Sequence, residues 1–162
     1  MKLGSEPNIS AIFKSNWKLS LFFIRHLPMA FLSGLKIRTF NEDKAIVSLP
    51  YTYLTKNPFR SIYFACQAMA AEFSTAVICL QTIEKYDTDL SLLVVGLEAG
   101  FVKKATGRIT FTCNKPEGQD QILEQCISQK SPKEITFTSV GKDESGEKVA
   151  EFHITWSFKP RD

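Results

Sequence analysis

The chain has no Cys-x-x-Cys pair, only two histidines, His26 and His153, and four scattered cysteines, Cys66, Cys79, Cys113 and Cys126. That is a poor metal set, because structural zinc sites draw four Cys or His from closely spaced pairs. Cys66 and Cys79 lie on one helical stretch about 20 Å apart, at 1.5 Å per residue, and cannot bridge. The expected state of all four is a reduced core thiol in a cytoplasmic protein. Gly-x-Ser-x-Gly, the P-loop and the dinucleotide fingerprint are missing, and no Ser-His-acid arrangement can be argued. A net charge of +3 with no concentrated basic stripe gives no case for nucleic acid. Neither repeats, low-complexity tracts nor linker-like segments occur. One domain over residues 1–162 is therefore expected, large enough to bury a core without staples.

What is present centres on Ser61 to Ile83, SIYFACQAMAAEFSTAVICLQTI. Read as a central helix over about 60–83, it is apolar on nearly every side and must be surrounded by protein. Its length also suits a bilayer, but Gln67, Glu72, Ser74, Thr75 and Gln81 make it too polar for a lone span, so no stable membrane insertion is expected. Asn57-Pro58 supplies a helix-start signal, with Asn as cap and Pro in the first turn. Glu72 is the one charged residue, near the middle. An ionisable group there is costly unless it is paired, neutralised or used. The 13 phenylalanines hint at a large apolar interior or an apolar ligand.

Residues 1–8 read as a loose terminus. From Ile9 to about Leu32, Ile9, Ile12, Phe13, Trp17, Leu21, Ile24 and Leu27 follow helical spacing, and Pro28 ends or kinks the helix. No signal peptide is read, since Arg25, His26 and Pro28 interrupt the candidate run Leu19 to Leu32. The basic and aromatic mix fits a peripheral membrane helix; packing on its own domain or a partner subunit is the commoner use and is favoured. Leu35 to Phe40 and Ala45 to Pro50 read as a hairpin about Asn41-Glu42-Asp43-Lys44. After the central helix come a strand from Leu90 to Val102, with Gly96 and Gly100 marking bends or bulges, and a strand from Arg108 to Cys113. A short amphipathic helix, Gln119 to Gln129, precedes strands Glu134 to Val140 and Lys148 to Phe158. On the last, Phe152, Ile154, Trp156 and Phe158 share one face, which implies an antiparallel sheet covered on one side. The whole is an α+β layout of several curved strands wrapping one long helix.

That order, with Asn57-Pro58-Phe59-Arg60-Ser61-Ile62-Tyr63-Phe64-Ala65 leading into the helix, resembles the hotdog-fold thioesterase-like superfamily. It is most similar to an uncharacterised branch near the phenylacetate-pathway type of acyl-CoA thioesterase. Phe101-Val102-Lys103-Lys104-Ala105-Thr106-Gly107-Arg108-Ile109 resembles the strand-turn-strand segment that follows the helix there. The likeness spans roughly residues 10–160. It implies a thioester hydrolase with Glu72 as general base or nucleophile, and with Asn57, fifteen positions earlier, positioning water or the thioester carbonyl. The backbone N–H of Ala65, near the helix N-terminus, is the implied oxyanion donor. No metal or redox cofactor is implied; coenzyme A would be part of an acyl-CoA or other acyl thioester substrate. Ala65 and Glu72 are about 10 Å apart along the helix axis, so one carbonyl cannot touch both from one chain. The resemblance answers this with a homodimer, or dimer of dimers, in which antiparallel helices complete each site and two sheets join edge to edge. Lys103, Lys104 and Arg108 would then meet coenzyme A phosphates, and Tyr63 and Phe64 the substrate.

Two departures bear on this. Active relatives carry a His-Gly-Gly type sequence where this chain has Tyr63-Phe64-Ala65, and Gly where it has Arg60; glycine lets a thioester approach the backbone closely. Each residue also has a bland reading. Glu72 could be paired across a dimer or capped by Ser74 and Thr75, Asn57 could be only a helix cap, and Lys103 and Lys104 only solvated charges. A non-catalytic hotdog protein that binds acyl-CoA or fatty acyl ligands, or a dimeric scaffold, is the alternative to the hydrolase.

Overall fold

Three short helices stand where one N-terminal helix is expected. The computed structural model, which describes residues 9–86 and 88–161, divides that segment into α1 (Ile9–Phe13), α2 (Asn16–His26) and α3 (Pro28–Leu32). The loose terminus expected for residues 1–8 lies outside the described residues. Pro28 explains the second break. It has no N–H to give a continuing helix, and it takes the first turn of α3, where none is needed. The first break falls at Ser15, whose backbone is extended at φ −121 and ψ 115.

The remaining elements follow the expected order: β1 (Lys36–Phe40), β2 (Lys44–Leu49), α4 (Phe64–Ile83), β3 (Leu90–Phe101), β4 (Ile109–Asn114), α5 (Gln119–Ser128), β5 (Lys133–Lys142) and β6 (Lys148–Pro160). The six strands form one antiparallel sheet in the order β1-β2-β4-β5-β6-β3. Wrapped around α4, this is the hotdog fold. Of the two glycines in β3, Gly96 marks a break in register between Val94 and Gly96, as expected, whereas Gly100 stays paired with Glu151. Gly141 is required for a different reason. A Cβ there would come within 2.7 Å of the Phe111 ring, which occupies the inner face of the sheet.

The expected apolar faces are the core. Ile109, Phe111 and Cys113 of β4, and Phe152, Ile154, Trp156 and Phe158 of β6, are all buried against α4 and its neighbours. Phe73 on α4 meets the rings of Phe13 and Phe23 edge-on at 6.1 and 5.0 Å, which docks α1 and α2 onto the helix. All four cysteines are free; Cys79, Cys113 and Cys126 are buried, and burial pushes the Cys113 thiol up to about 12. They are protonated core fillers. By length and composition α4 could cross a membrane, but half of that stretch is buried inside the protein. It is the core helix.

One consequence of the layout sets up the site. α4 lies over β2, β4 and β5 and hardly touches the edge strand β3. In register, Val94, Leu97, Ala99 and Phe101 stand opposite Trp156, Ile154, Phe152 and Ala150 and so face the same side as α4. Leu97 and Phe101 are nonetheless 52% and 48% exposed. The inner face of β3 is an open apolar shelf beside the helix.

Candidate active site

The segment before α4 is held by its own polar groups. Thr55 is fully buried; its hydroxyl donates to the Pro50 carbonyl and accepts from Thr52 N–H at 2.8 Å. The Thr55 carbonyl accepts from Tyr63 N–H at 2.7 Å, and Ile62 N–H donates to the Ala105 carbonyl at 2.8 Å, tying the loop to the segment after β3. Between these ties, Asn57 closes a tight turn. Its Oδ1 accepts from Phe59 N–H, Ser61 N–H and the Ser61 hydroxyl at 3.0, 3.1 and 3.2 Å. The expectation that Asn57 caps the central helix is thus corrected. It organises a turn of its own, while the helix starts at Phe64 with Tyr63 as the N-cap residue. Pro58 belongs to that turn, not to the first helical turn. Since Oδ1 is engaged three ways, the group Asn57 can offer a ligand is its Nδ2 donor.

Arg60 sits at φ +60, a left-handed conformation. This is the position where the resemblance expects glycine. The backbone shape that glycine accommodates is retained with an arginine in it, at a steric cost.

No side chain caps α4. The N–H groups of Phe64 and Ala65 have no hydrogen-bond acceptor among the described residues, whereas those of Cys66 and Gln67 return to the Tyr63 carbonyl. Ala65 is exposed, so its N–H is a free donor at the positive end of a 20-residue helix. Tyr63 and Phe64 are also largely exposed and stack edge-on, with ring centroids 4.8 Å apart. Ala65, Ala68, Met69 and Glu72 recur at helical spacing and are among the less buried positions of α4. Among the described residues nothing bonds to the Glu72 carboxyl, and burial raises its pKa to about 7. The hydroxyls considered as its caps are committed elsewhere. Ser74 bonds to the Ala71 carbonyl and to Ser139, and Thr75 donates to the main-chain carbonyl of Glu72 at 2.7 Å. A carboxyl whose pKa burial raises and a free amide thus share one stripe of α4.

Sequence reasoning passed over Gln67 as a site residue. It is buried, its Nε2 donates to the Ile62 carbonyl at 3.1 Å, and its Oε1 has no partner. It holds the last loop residue before the cap. An amide in the first turns of an apolar helix was the signal.

The three basic residues differ. Lys103 is ion-paired with Asp143, at 2.7 Å, and with Glu147, in the β5–β6 turn. Lys104 and Arg108 are exposed, with no ion pair among the described residues. His153 lies between Thr138 and Glu151 on the outer face of the sheet, and His26 stacks on Phe22. A separate cavity of about 370 Å³ at the start of α5, lined by Asp43, Lys115, Gln119 and Asp120, holds a Lys115–Asp120 ion pair at 2.5 Å.

The antiparallel sheet wrapped around α4 makes this a protein of the hotdog fold. The chain matches, over residues 15–158, the family described as a domain of unknown function (DUF4442), and it belongs to that family. No curated protein matches it. Solved structures similar to it include a thioesterase from Haemophilus influenzae, at 12% identity and TM-score 0.68, covering 90% of this chain and 91% of that one. A protein of unknown function from Pseudomonas aeruginosa, described as a probable thioesterase, superimposes with TM-score 0.75 at 17% identity, covering 91% and 97%. A thioesterase from Staphylococcus aureus does so with TM-score 0.66 at 16% identity, covering 82% and 99%. Structures of this staphylococcal protein exist with alanine in place of a glutamine and, separately, in place of a glutamate fifteen positions later. At these identities the likeness establishes the fold.

Proposed function

We propose that the protein is a homodimeric acyl thioester hydrolase, with acyl-CoA as the substrate class and no metal or redox cofactor. The observation that carries this is the unpaired Glu72 carboxyl, with a pKa of about 7, on the same open stripe of α4 as the free N–H of Ala65. A group titrating near neutrality can take a proton from water and pass it on. In the proposed step, Glu72 removes a proton from a water molecule. The resulting oxygen attacks the thioester carbonyl, the C–S bond breaks, and the thiolate leaves and is protonated. Ala65 N–H supports the oxyanion, and Asn57 Nδ2 orients the carbonyl or the water. The fifteen-residue spacing of Asn57 and Glu72 equals that of the two altered positions in the staphylococcal thioesterase, which supports the pairing of roles.

Because Ala65 and Glu72 lie about 10 Å apart along one helix, each site takes one of them from each subunit. The exposed shelf of β3 suits that dimer: it is a 12-residue edge strand with apolar residues left uncovered. Lys104 and Arg108 are the cations available to coenzyme A phosphates; Lys103, already engaged by two carboxylates, contributes less. Buried free thiols fit a reducing, cytoplasmic setting.

A second reading, a non-catalytic binder of acyl-CoA or fatty acyl ligands or a dimeric scaffold, is favoured by the Tyr63–Phe64 ring pair at the start of α4, where the resemblance expects His-Gly. Release of free thiol from short, medium, long and aromatic acyl-CoAs separates the two, with Glu72→Gln run beside the parent. Turnover that disappears in the variant supports the hydrolase. Saturable ligand retention without turnover in a folded dimer supports the binder.

A further inference from the structure

The N-terminal helices present a second surface, unrelated to the proposed site. α2 buries Leu19 and Phe23 against the core. Half a turn away, Trp17, Leu21 and Ile24 line up at i, i+4 and i+7 and are 67%, 57% and 53% exposed. Leu27, between α2 and α3, and Met29, Phe31 and Leu32 on α3 are exposed apolar residues as well. The surface lies at the β1 side of the fold: Phe13 on α1 packs against Phe40 of β1, and α1 and α2 meet α4 at Phe73. Strand β3, the edge assigned above to dimer formation, is at the opposite end of the sheet, so that dimer leaves these residues uncovered.

Charge identifies what would cover them. From Ile9 to Asn41 the chain carries five basic residues, Lys14, Lys18, Arg25, Lys36 and Arg38, and no Asp or Glu, although the whole chain is only +3. On α2, Lys18 and Arg25 are seven residues apart and so share one flank of the apolar row, about a quarter turn from its centre. The Lys18 ammonium lies 5.8 Å from the Trp17 ring centroid. An exposed Trp in an apolar row, flanked by cations on a helix anchored by its other face, is the pattern of a helix lying in a lipid interface. A protein partner would need complementary shape, whereas a bilayer needs only apolar side chains at one depth and cations level with the headgroups.

We propose that this face, formed by α2 and α3, docks the protein on an anionic membrane surface, with Trp17, Leu21 and Ile24 entering the headgroup–acyl boundary and Lys18 and Arg25 meeting anionic headgroups. The docking is peripheral; α4 stays in the core. It also stands independently of the thioesterase reading, since none of its residues belongs to that site.

The test is co-sedimentation of the full chain with phosphatidylglycerol/phosphatidylcholine vesicles and with phosphatidylcholine alone, at low and high salt. Trp emission is followed in parallel; Trp17 is exposed and Trp156 is buried, so a blue shift on vesicle addition reports Trp17. The expected result is binding to anionic vesicles at least tenfold stronger than to neutral ones, weakened by salt and accompanied by the blue shift. Leu21→Ser/Ile24→Ser and, separately, Lys18→Glu/Arg25→Glu each reduce partitioning at least tenfold while the circular dichroism and melting of the protein are kept. Absence of binding to anionic vesicles overturns the proposal, as does binding that neither variant alters. A change of oligomeric state in Leu21→Ser/Ile24→Ser, with no vesicle binding by the parent, assigns the face to a second copy instead.

Discussion

The indole Nε1 of Trp156 donates to the Thr75 hydroxyl at 2.9 Å, and that hydroxyl in turn donates to the main-chain carbonyl of Glu72 at 2.7 Å. The relay joins β6 to α4 at the turn that carries the candidate base. Thr75 is fully buried and Trp156 nearly so, so neither group can turn to water if its partner is lost.

Thr75→Val keeps the shape and removes the acceptor, leaving a buried indole N–H unpaired. The expected cost is about 1–3 kcal/mol, most of it from the stranded donor. For a chain of this size each kcal/mol lowers Tm by about 2–4 °C. Trp156→Phe made alone loses packing as well as the donor, but in the double variant the donor penalty of Thr75→Val is gone. A double-mutant cycle should therefore show coupling of about 0.5–3 kcal/mol. Additive effects would mean that the 2.9 Å contact contributes nothing.

Arg60 offers a test of backbone strain. At φ +60 a non-glycine residue pays about 1–2 kcal/mol, while introducing glycine frees the unfolded chain by about 0.4–1 kcal/mol. Arg60→Gly should thus be neutral to mildly stabilising, against the usual direction for a change to glycine. Arg60→Val places a β-branched residue in the same conformation and should cost more than 1 kcal/mol. Chemical denaturation of the three proteins measures both, and a clear loss in Arg60→Gly would show that the arginine side chain, not the turn, matters.

Much of the fold was legible because its elements obey strong periodicities. Alternation of Phe152, Ile154, Trp156 and Phe158 located the inner face of β6, and the all-round apolar pattern of Ser61 to Ile83 identified the core helix. What misled was local chemistry with two outcomes. Asn57-Pro58 has the composition of a helix start, yet Asn also closes turns through its side-chain oxygen, and the Ser61 amide and hydroxyl captured it. Pro28, by contrast, breaks the N-terminal helix as its missing N–H requires, and the same property lets it open α3. At the candidate site, Glu72 stood out as a lone charge in an apolar helix. The freedom of the Ala65 amide and the capture of Lys103 by Asp143 and Glu147 depend on contacts about 40 residues away in sequence or on an absent cap, and no local pattern encodes these.

The open shelf of β3 makes a prediction about assembly. Leu97 faces the α4 side of the sheet and is half exposed, so in the proposed dimer it is covered by the partner. Leu97→Asp would bury a carboxylate there without a counter-ion, which costs several kcal/mol unless the interface opens. The expected outcome in sedimentation velocity is a shift from dimer to monomer, with the monomer keeping its secondary structure. An unshifted dimer would move the interface away from β3.

The carboxyl of Glu72 should make stability depend on pH in a direction opposite to that of most native carboxylates. Its folded pKa is raised by burial to about 7, from 4.5 for the unperturbed group. Between those values the folded protein keeps a proton that the unfolded chain has released, so stability falls as pH rises through this window and levels off above about 7. A shift of that size corresponds to a loss on the order of 3 kcal/mol. Glu72→Gln carries no such proton, so the variant should match the parent near pH 4 and exceed it at pH 8. The difference in stability between the two, measured by denaturant titration from pH 4 to pH 8, cancels the contributions of all other groups. The same ionisation governs the proposed reaction: the base must be deprotonated, so kcat/KM should rise through pH 7 and then plateau. A stability difference that stays flat with pH would mean that Glu72 is ion-paired in the assembled protein. The candidate base would then be ionised well below neutrality and the activity profile flat above it.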